Sequence, residues 1–184
     1  MPAQLYFFAS IAFAFVAWGV VAKRYIWPKL RTLPRAEALR PILILHSFRF
    51  VGLAFVVPGV VSPDLPSAFA NPAAYGDIAA ATLALLSLAT LQRRAGVVIA
   101  WVFNLWGSFD LLSAFYHGGN SGLMPGQLGA AYFIPTVLVP LMLITHALAF
   151  RILLQRSAAK ADMVSQTAAG TADTLVARPA AVQW

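Results

Sequence analysis

The chain has 184 residues, of which 60% are hydrophobic and 10% are charged. A soluble domain carries about 25% charged residues, so this composition excludes an ordinary water-facing surface and predicts an all-α, polytopic bundle of transmembrane helices in a lipid bilayer. The net charge of +7 does not indicate a nucleic-acid partner, because the basic residues lie at the ends of apolar segments and form no continuous patch.

The first predicted span covers residues 5–22, an apolar run without a charged residue. Basic residues follow this run and none precedes it, which is the reverse of a secretory signal peptide. We therefore expect a retained helix. The basic segment after it contains Pro28 and Pro34, which interrupt any continuous helix.

The second predicted span covers residues 41–61, with Pro41 in its first turn and Pro58-Gly59 near its end. The segment that follows is rich in proline, alanine and serine, and we interpret it as a connection that lies on the membrane or covers the bundle. The third span is predicted at 77–91, with Asp77 as its N-cap.

The fourth predicted span covers residues 96–116 and ends at the glycine-rich segment 117–122. The fifth covers 128–154, and we expect Pro135 and Pro140 to kink it. Residues 1–156 are thus predicted to form one five-helix domain. Residues 157–184 lack an apolar pattern and are predicted to be a disordered cytoplasmic tail.

The basic residues predict the orientation of the bundle. Of thirteen lysines and arginines, six lie between spans one and two, two between spans three and four, and four after Phe150. The other two connections contain none, and the thirteenth, Arg49, lies inside a span. The positive-inside rule therefore places the N-terminus outside and the C-terminus in the cytoplasm.

Polar side chains inside the predicted spans mark the candidate site, because such residues are costly in lipid and are often functional. Helical rise places the two histidines at a common depth near the cytoplasmic side. We expect a cluster across spans two, four and five, with the tryptophan as packing or a pocket wall. Its members are His46, Arg49, Asn104, Trp106, Asp110 and His146.

Arg49 is predicted to pair with Asp110, since each is the only residue of its charge deep in a predicted span. The pair either joins two helices or serves a proton relay, an anion site or a ligand clamp. Asn104 and Asp110 are six residues apart and project about 120° from each other. One partner is therefore not expected to satisfy both.

His46 and His146 allow two interpretations. Each imidazole can hydrogen-bond a hydroxyl, such as that of Thr145, or a backbone carbonyl. Alternatively, two histidines on different helices at one depth can hold a b-type haem as axial metal ligands. The same two histidines could alternatively bind a quinone or a lipid head group, or transfer protons.

The function most consistent with these patterns is that of a structural, small-ligand-binding or lipid-binding membrane protein, which favours a non-enzymatic role over catalysis. We find no phosphate loop, no paired catalytic carboxylates and no Ser-His-Asp set in the sequence. The alternatives are a haem- or quinone-binding subunit of an oxidoreductase and a small proton-coupled carrier or channel. We expect a multi-pass protein of the cell membrane, which in a bacterium is the inner membrane. A second copy or another membrane subunit is a further candidate partner.

Overall fold

The computed structural model describes residues 3–155, apart from the side chain of Arg94, and contains no β-strand within them. The tail predicted at 157–184 lies outside the described residues. Each of five helices is long and apolar enough to cross a membrane. These helices are α1 Ala3–Leu30, α2 Arg35–Val56, α3 Ser67–Thr90, α4 Arg94–Asn120 and α5 Ile134–Gln155.

Helix α2 begins at Arg35, six residues before the predicted start at Pro41. Pro34 precedes it in an extended conformation with a ψ of 151°, which suits a residue that ends a connection. Pro41 lies inside the helix. The helix ends at Val56, just before Pro58-Gly59, where Gly59 has a φ of +81° that favours glycine.

The second half of α2 is a 3₁₀ helix over Phe48–Val56. A 3₁₀ helix has three residues per turn, so residues three apart in sequence lie on one edge. Its buried residues are Arg49, Gly52 and Phe55, which follow this spacing. The change of helix type therefore directs the arginine, a glycine and a phenylalanine toward the same interior.

The prediction that Asp77 caps a helix is wrong, because α3 begins at Ser67 and Asp77 lies within it. The sequence before Asp77 resembles a loop because it contains Pro72 and Gly76, and both residues are inside the helix. Helices that pack in an apolar environment tolerate such residues better than isolated helices do. Asp77 consequently lies inside the bundle and is only 8% exposed.

Helix α5 is preceded by a 3₁₀ helix over Pro125–Tyr132, where the sequence predicted the start of a span. A π-helical turn at Ile134–Leu138, which contains Pro135, then opens α5. The connection after α2 joins the 3₁₀ helix through the Ala130 N–H, which donates to the Val60 carbonyl at 3.0 Å. Gly129 has a φ of +51°, and a Cβ there would meet the same carbonyl.

The bundle has two ends that pack differently. We call the end with the short connections 31–34 and 91–93 the basic end, and the end with connections 57–66 and 121–133 the loop end. The basic end contains the larger apolar core, which includes Leu39, Leu43, Phe103 and Leu153. The loop end has a smaller core built around Phe55, Phe69 and Leu128. Buried polar side chains lie between the two cores.

Candidate functional site

We call the buried and partly buried side chains between the two cores the polar layer: His46, Arg49, Asp77, Asn104, Asp110 and His146. Arg49 is at its centre and is only 2% exposed. Its Nε donates to Asp77 Oδ1 at 2.6 Å, and its Nη2 donates to Asp110 Oδ2 at 2.5 Å. The predicted pairing of Arg49 with Asp110 is confirmed. The premise that each was the only deep charge of its sign is wrong, because Asp77 is a second buried acid. The guanidinium therefore joins three helices.

The rest of the guanidinium contacts α4 and α5. Arg49 Nη1 donates to the Gly107 carbonyl at 3.2 Å and lies 3.4 Å from His146 Nε2. A planar guanidinium can serve several acceptors at once, whereas the compact ammonium of lysine is a point charge on a flexible stem. The geometry of this site therefore requires arginine.

His146 continues the network toward α4. Its Nδ1 lies 2.7 Å from Asn104 Oδ1, an oxygen that can only accept, so Nδ1 carries the proton and donates. Nε2 is then free to accept from Arg49, which agrees with their contact. Asn104 and Asp110 thus have different partners, as predicted from their angular separation.

His46 has the hydroxyl partner that the sequence suggested. Its Nε2 lies 2.9 Å from Thr145 Oγ1, and the Thr145 hydroxyl donates to the Leu141 carbonyl at 2.9 Å. His46 Nε2 therefore donates to the threonine oxygen. The two imidazole rings have centroids 4.2 Å apart, and the ring of Phe103 lies 5.1 Å from each.

This arrangement does not fit the haem hypothesis. Imidazole–metal bonds are about 2 Å long, so two axial rings on one iron would have centroids about 6 Å apart with a macrocycle between them. The observed centroids of His46 and His146 are 4.2 Å apart, and three of the four ring nitrogens have side-chain contacts. Within residues 3–155, no group of three or more His, Asp or Glu residues could hold a metal ion.

Three glycines leave the space that the polar layer occupies. A Cβ on Gly52 would collide with the Asp77 carboxylate, and a Cβ on Gly76 would collide with that of Asp110. A Cβ on Gly107 would lie 2.6 Å from His146 Nε2 and 2.8 Å from Arg49 Nη1. The charged groups therefore pack against bare backbone on α2, α3 and α4.

Trp106 does not belong to this layer. It is 43% exposed and makes one long hydrogen bond, from its Nε1 to the Gly76 carbonyl at 3.5 Å. It also does not line the cavity described next. Trp106 was predicted to serve as packing or as a pocket wall. The structure supports only the first of these, because the side chain packs against the outer surface of α3.

A cavity of about 290 Å³ opens at the loop end, and all five helices contribute to its lining. Asp77 and Asp110 line it, and each of their side chains is 11% exposed. Gln4 is the other residue with a charged or amide side chain among the described residues that line it. Its aromatic lining consists of Phe7, Phe8, Phe55, Phe69 and Phe115.

The polar layer and the cavity are therefore one site. Arg49 does not line the cavity, so its two carboxylate partners separate the guanidinium from the open space. Asp77 is the member that sequence reasoning missed. The available signal was an acid inside an apolar stretch whose predicted span, 77–91, was barely long enough for a bilayer.

A protein-family model described as a domain of unknown function (DUF8737) matches residues 6–154. The chain therefore belongs to this family. The matched segment contains every residue of the polar layer and nearly all of the five helices. No curated protein matches the chain, and no solved structure does either.

Proposed function

We propose that this member of the DUF8737 family is a multi-pass membrane protein that binds a small, largely apolar ligand or a lipid at its loop end. The observation that carries the proposal is the cavity of about 290 Å³, with an aromatic wall and two carboxylates at its buried side. Ligand sites are typically apolar clefts of about 300–1,000 Å³ with a few placed polar groups.

The membrane setting is part of the proposal. Five helices have the required length and apolar composition, and many large apolar side chains lie on the outside of the bundle. Phe13, Phe109 and Val98 are each more than 60% exposed, which suits contact with lipid. Segregation of the basic residues supports an outer N-terminus and a cytoplasmic basic end.

The packing at the basic end favours a pocket over a channel. Leu39, Leu43, Phe103 and Leu153 are each at most 1% exposed and lie in one core on the far side of the polar layer from the cavity. A continuous aqueous path would need polar lining through that core. In this proposal Arg49 holds the two carboxylates in position, and the carboxylates contact the ligand.

A proton-coupled carrier is the second candidate function, and a specific contact chain favours it. Asp110, Arg49, His146 and Asn104 are joined by successive contacts of 2.5, 3.4 and 2.7 Å, which lead from the cavity into the bundle. A carrier would have to open the basic-end core in a second conformation. Acidification of proteoliposomes that depends on Asp110 would support this function over simple binding.

A quinone is less well suited to the cavity. Quinone carbonyls accept hydrogen bonds, whereas Asp77 and Asp110 offer acceptor oxygens when ionised. The Arg49 donors near them are already bonded to protein acceptors.

Photolabelling of the purified protein in lipid nanodiscs tests the binding function. The probe is a ten-carbon alcohol with a diazirine on its chain, and labelled peptides are identified by mass spectrometry. Ala114→Trp places a bulky ring in the cavity wall, and Leu112→Trp adds the same ring to a position on the same helix that is 58% exposed.

We expect the probe to label the segment that includes Leu111 and Phe115 in the wild type and in Leu112→Trp, and to lose this labelling in Ala114→Trp. Both residues line the cavity. Equal labelling in the two tryptophan variants would contradict the proposal, because the probe would then be reaching the helix from the lipid.

A further inference from the structure

We infer that the ligand of this cavity is a cationic amphiphile, a single-chain molecule with a positively charged ammonium head group. This inference rests on the proposed binding function and specifies the chemistry of its ligand. The head group would lie against Asp77 and Asp110, and the chain would lie among the phenylalanines.

The first support is the charge balance of the polar layer. Arg49 contributes one positive charge, and Asp77 and Asp110 together contribute two negative charges when ionised. An uncompensated charge in an apolar interior is strongly unfavourable. A cationic head group at this position would make the layer neutral.

The second support is the unused bonding capacity of the carboxylates. Arg49 contacts one oxygen of each, Asp77 Oδ1 and Asp110 Oδ2. Among the described residues, no hydrogen-bond donor reaches the other oxygen of either carboxylate. Those two oxygens, Asp77 Oδ2 and Asp110 Oδ1, lie toward Gly52 and Gly76. Each side chain is 11% exposed and lines the cavity, so an ammonium group entering it would approach two carboxylates of charge opposite to its own.

The third support is the aromatic wall. Phe7, Phe8, Phe55, Phe69 and Phe115 contribute to the lining. Cations are attracted to the faces of aromatic rings, and ammonium ligands are recognised in this way in many sites. No lysine, arginine or histidine is among the described residues that line the cavity. The lining therefore favours a positive group over a negative one.

The charge of the connections around the cavity also favours a positively charged ligand. The loop-end connections 57–66 and 121–133 contain no lysine or arginine, and Asp64 lies in the first of them. All the basic connections are at the opposite end of the bundle. A cation would therefore reach the cavity without electrostatic repulsion from the connections around it.

The volume of the cavity limits the size of the ligand. About 290 Å³ is near the lower limit of ligand sites, which span about 300–1,000 Å³, so the site suits a small or single-chain molecule. The two acyl chains of a phospholipid would not be enclosed. We therefore assign a short single-chain amine or quaternary ammonium compound rather than a membrane phospholipid.

The experiment uses three photoprobes of one chain length in nanodiscs of zwitterionic lipid. They carry the same ten-carbon diazirine chain and end in a trimethylammonium group, an alcohol or a carboxylate. Labelling of the cavity segment around Leu111 and Phe115 is compared among the probes in the wild type. Decyltrimethylammonium and decanol are then compared as competitors, so the wild-type protein alone provides a result.

We expect the trimethylammonium probe to label the cavity segment about tenfold more strongly than the alcohol, and the carboxylate least, because the quaternary ammonium is attracted by the two carboxylates and by the aromatic rings, whereas the alcohol carries no charge. Asp110→Asn should reduce this preference severalfold. Asp64→Asn removes the same charge from an exposed position at the same end and should leave the preference unchanged.

Equal labelling by the ammonium and alcohol probes would overturn the charge assignment and leave the apolar binding function intact, since the layer would then be neutralised by a proton. Failure of every probe to label the cavity segment would overturn both proposals. An ammonium preference that persists unchanged in Asp110→Asn and in Asp77→Asn would also overturn the assignment, because the carboxylates would not be its source.

Discussion

The basic end and the loop end of the bundle are built from the same five helices but differ in packing. At the basic end, connections 31–34 and 91–93 are short, and small residues such as Ala84 and Ala149 let large leucines interdigitate. At the loop end, the connections are longer and phenylalanines surround a cavity of about 290 Å³. The polar layer separates these regions. The difference indicates that the basic end contributes most of the tight apolar packing, and in the proposed function the loop end is the part that binds a ligand.

Removal of the Arg49 charge is expected to have the largest effect, because it leaves two buried carboxylates without their cation. Arg49→Leu should lower the free energy of unfolding by about 4 kcal/mol, the range seen when one partner of a buried ion pair is removed. SDS-induced unfolding followed by circular dichroism measures this change. Adding Asp77→Asn and Asp110→Asn to Arg49→Leu should restore much of the loss.

The control for this prediction is Arg40→Gln, which breaks the exposed pair of Arg40 with Glu37. Exposed pairs contribute less than about 1 kcal/mol, so little change is expected. If Arg49→Leu were no less stable than Arg40→Gln, the polar layer could not be the boundary that holds the two ends together.

The same leucine truncation should have unequal effects at the two ends. Leu39 is 1% exposed in the basic-end core, and Leu111 is 3% exposed but lines the cavity. Leu39→Ala should lower the free energy of unfolding by about 3 kcal/mol, and Leu111→Ala by about half as much, because atoms beside a cavity already lack contacts on one side. Thermal unfolding in one detergent compares them; equal losses would contradict the difference in packing.

A methyl group added within the polar layer should have a smaller effect. In Gly107→Ala the new Cβ would lie 2.6 Å from His146 Nε2, so His146 or Arg49 must move. We expect a loss of about 2 kcal/mol, as for other overpacked interiors. Gly19→Ala is the matched control, because nothing lies within 4 Å of its Cβ position. Comparable melting temperatures for both variants would show that the layer is loosely packed.

The sequence identified those site residues whose burial in lipid is unfavourable whichever partner they have. Arg49, His46, His146, Asn104 and Asp110 are all buried or partly buried, and they form one connected layer. The common depth of His46 and His146 follows from helical rise, because charge segregation sets the direction of each predicted span.

Asp77 and Trp106 show where this reasoning fails. Asp77 follows Pro72 and Gly76, residues that usually end helices, so the local pattern predicted a helix N-cap at Asp77. In the structure the helix is continuous through both residues. Trp106 has the correct depth but lies on the outer side of α4, where it is 43% exposed. The depth of a residue follows from its position along the helix. The direction in which its side chain points depends on which face of the helix the neighbouring helices cover.

The sequence by itself determined the helical class, the number of apolar segments and the ends at which charge collects, since these depend on composition and on order along the chain. Only the tertiary structure decided which polar groups meet. The 3₁₀ geometry of Phe48–Val56, the glycines that admit the carboxylates and the cavity beside Asp77 and Asp110 all depend on how close neighbouring helices approach. That distance is set by side chains far apart in sequence, which no local pattern records.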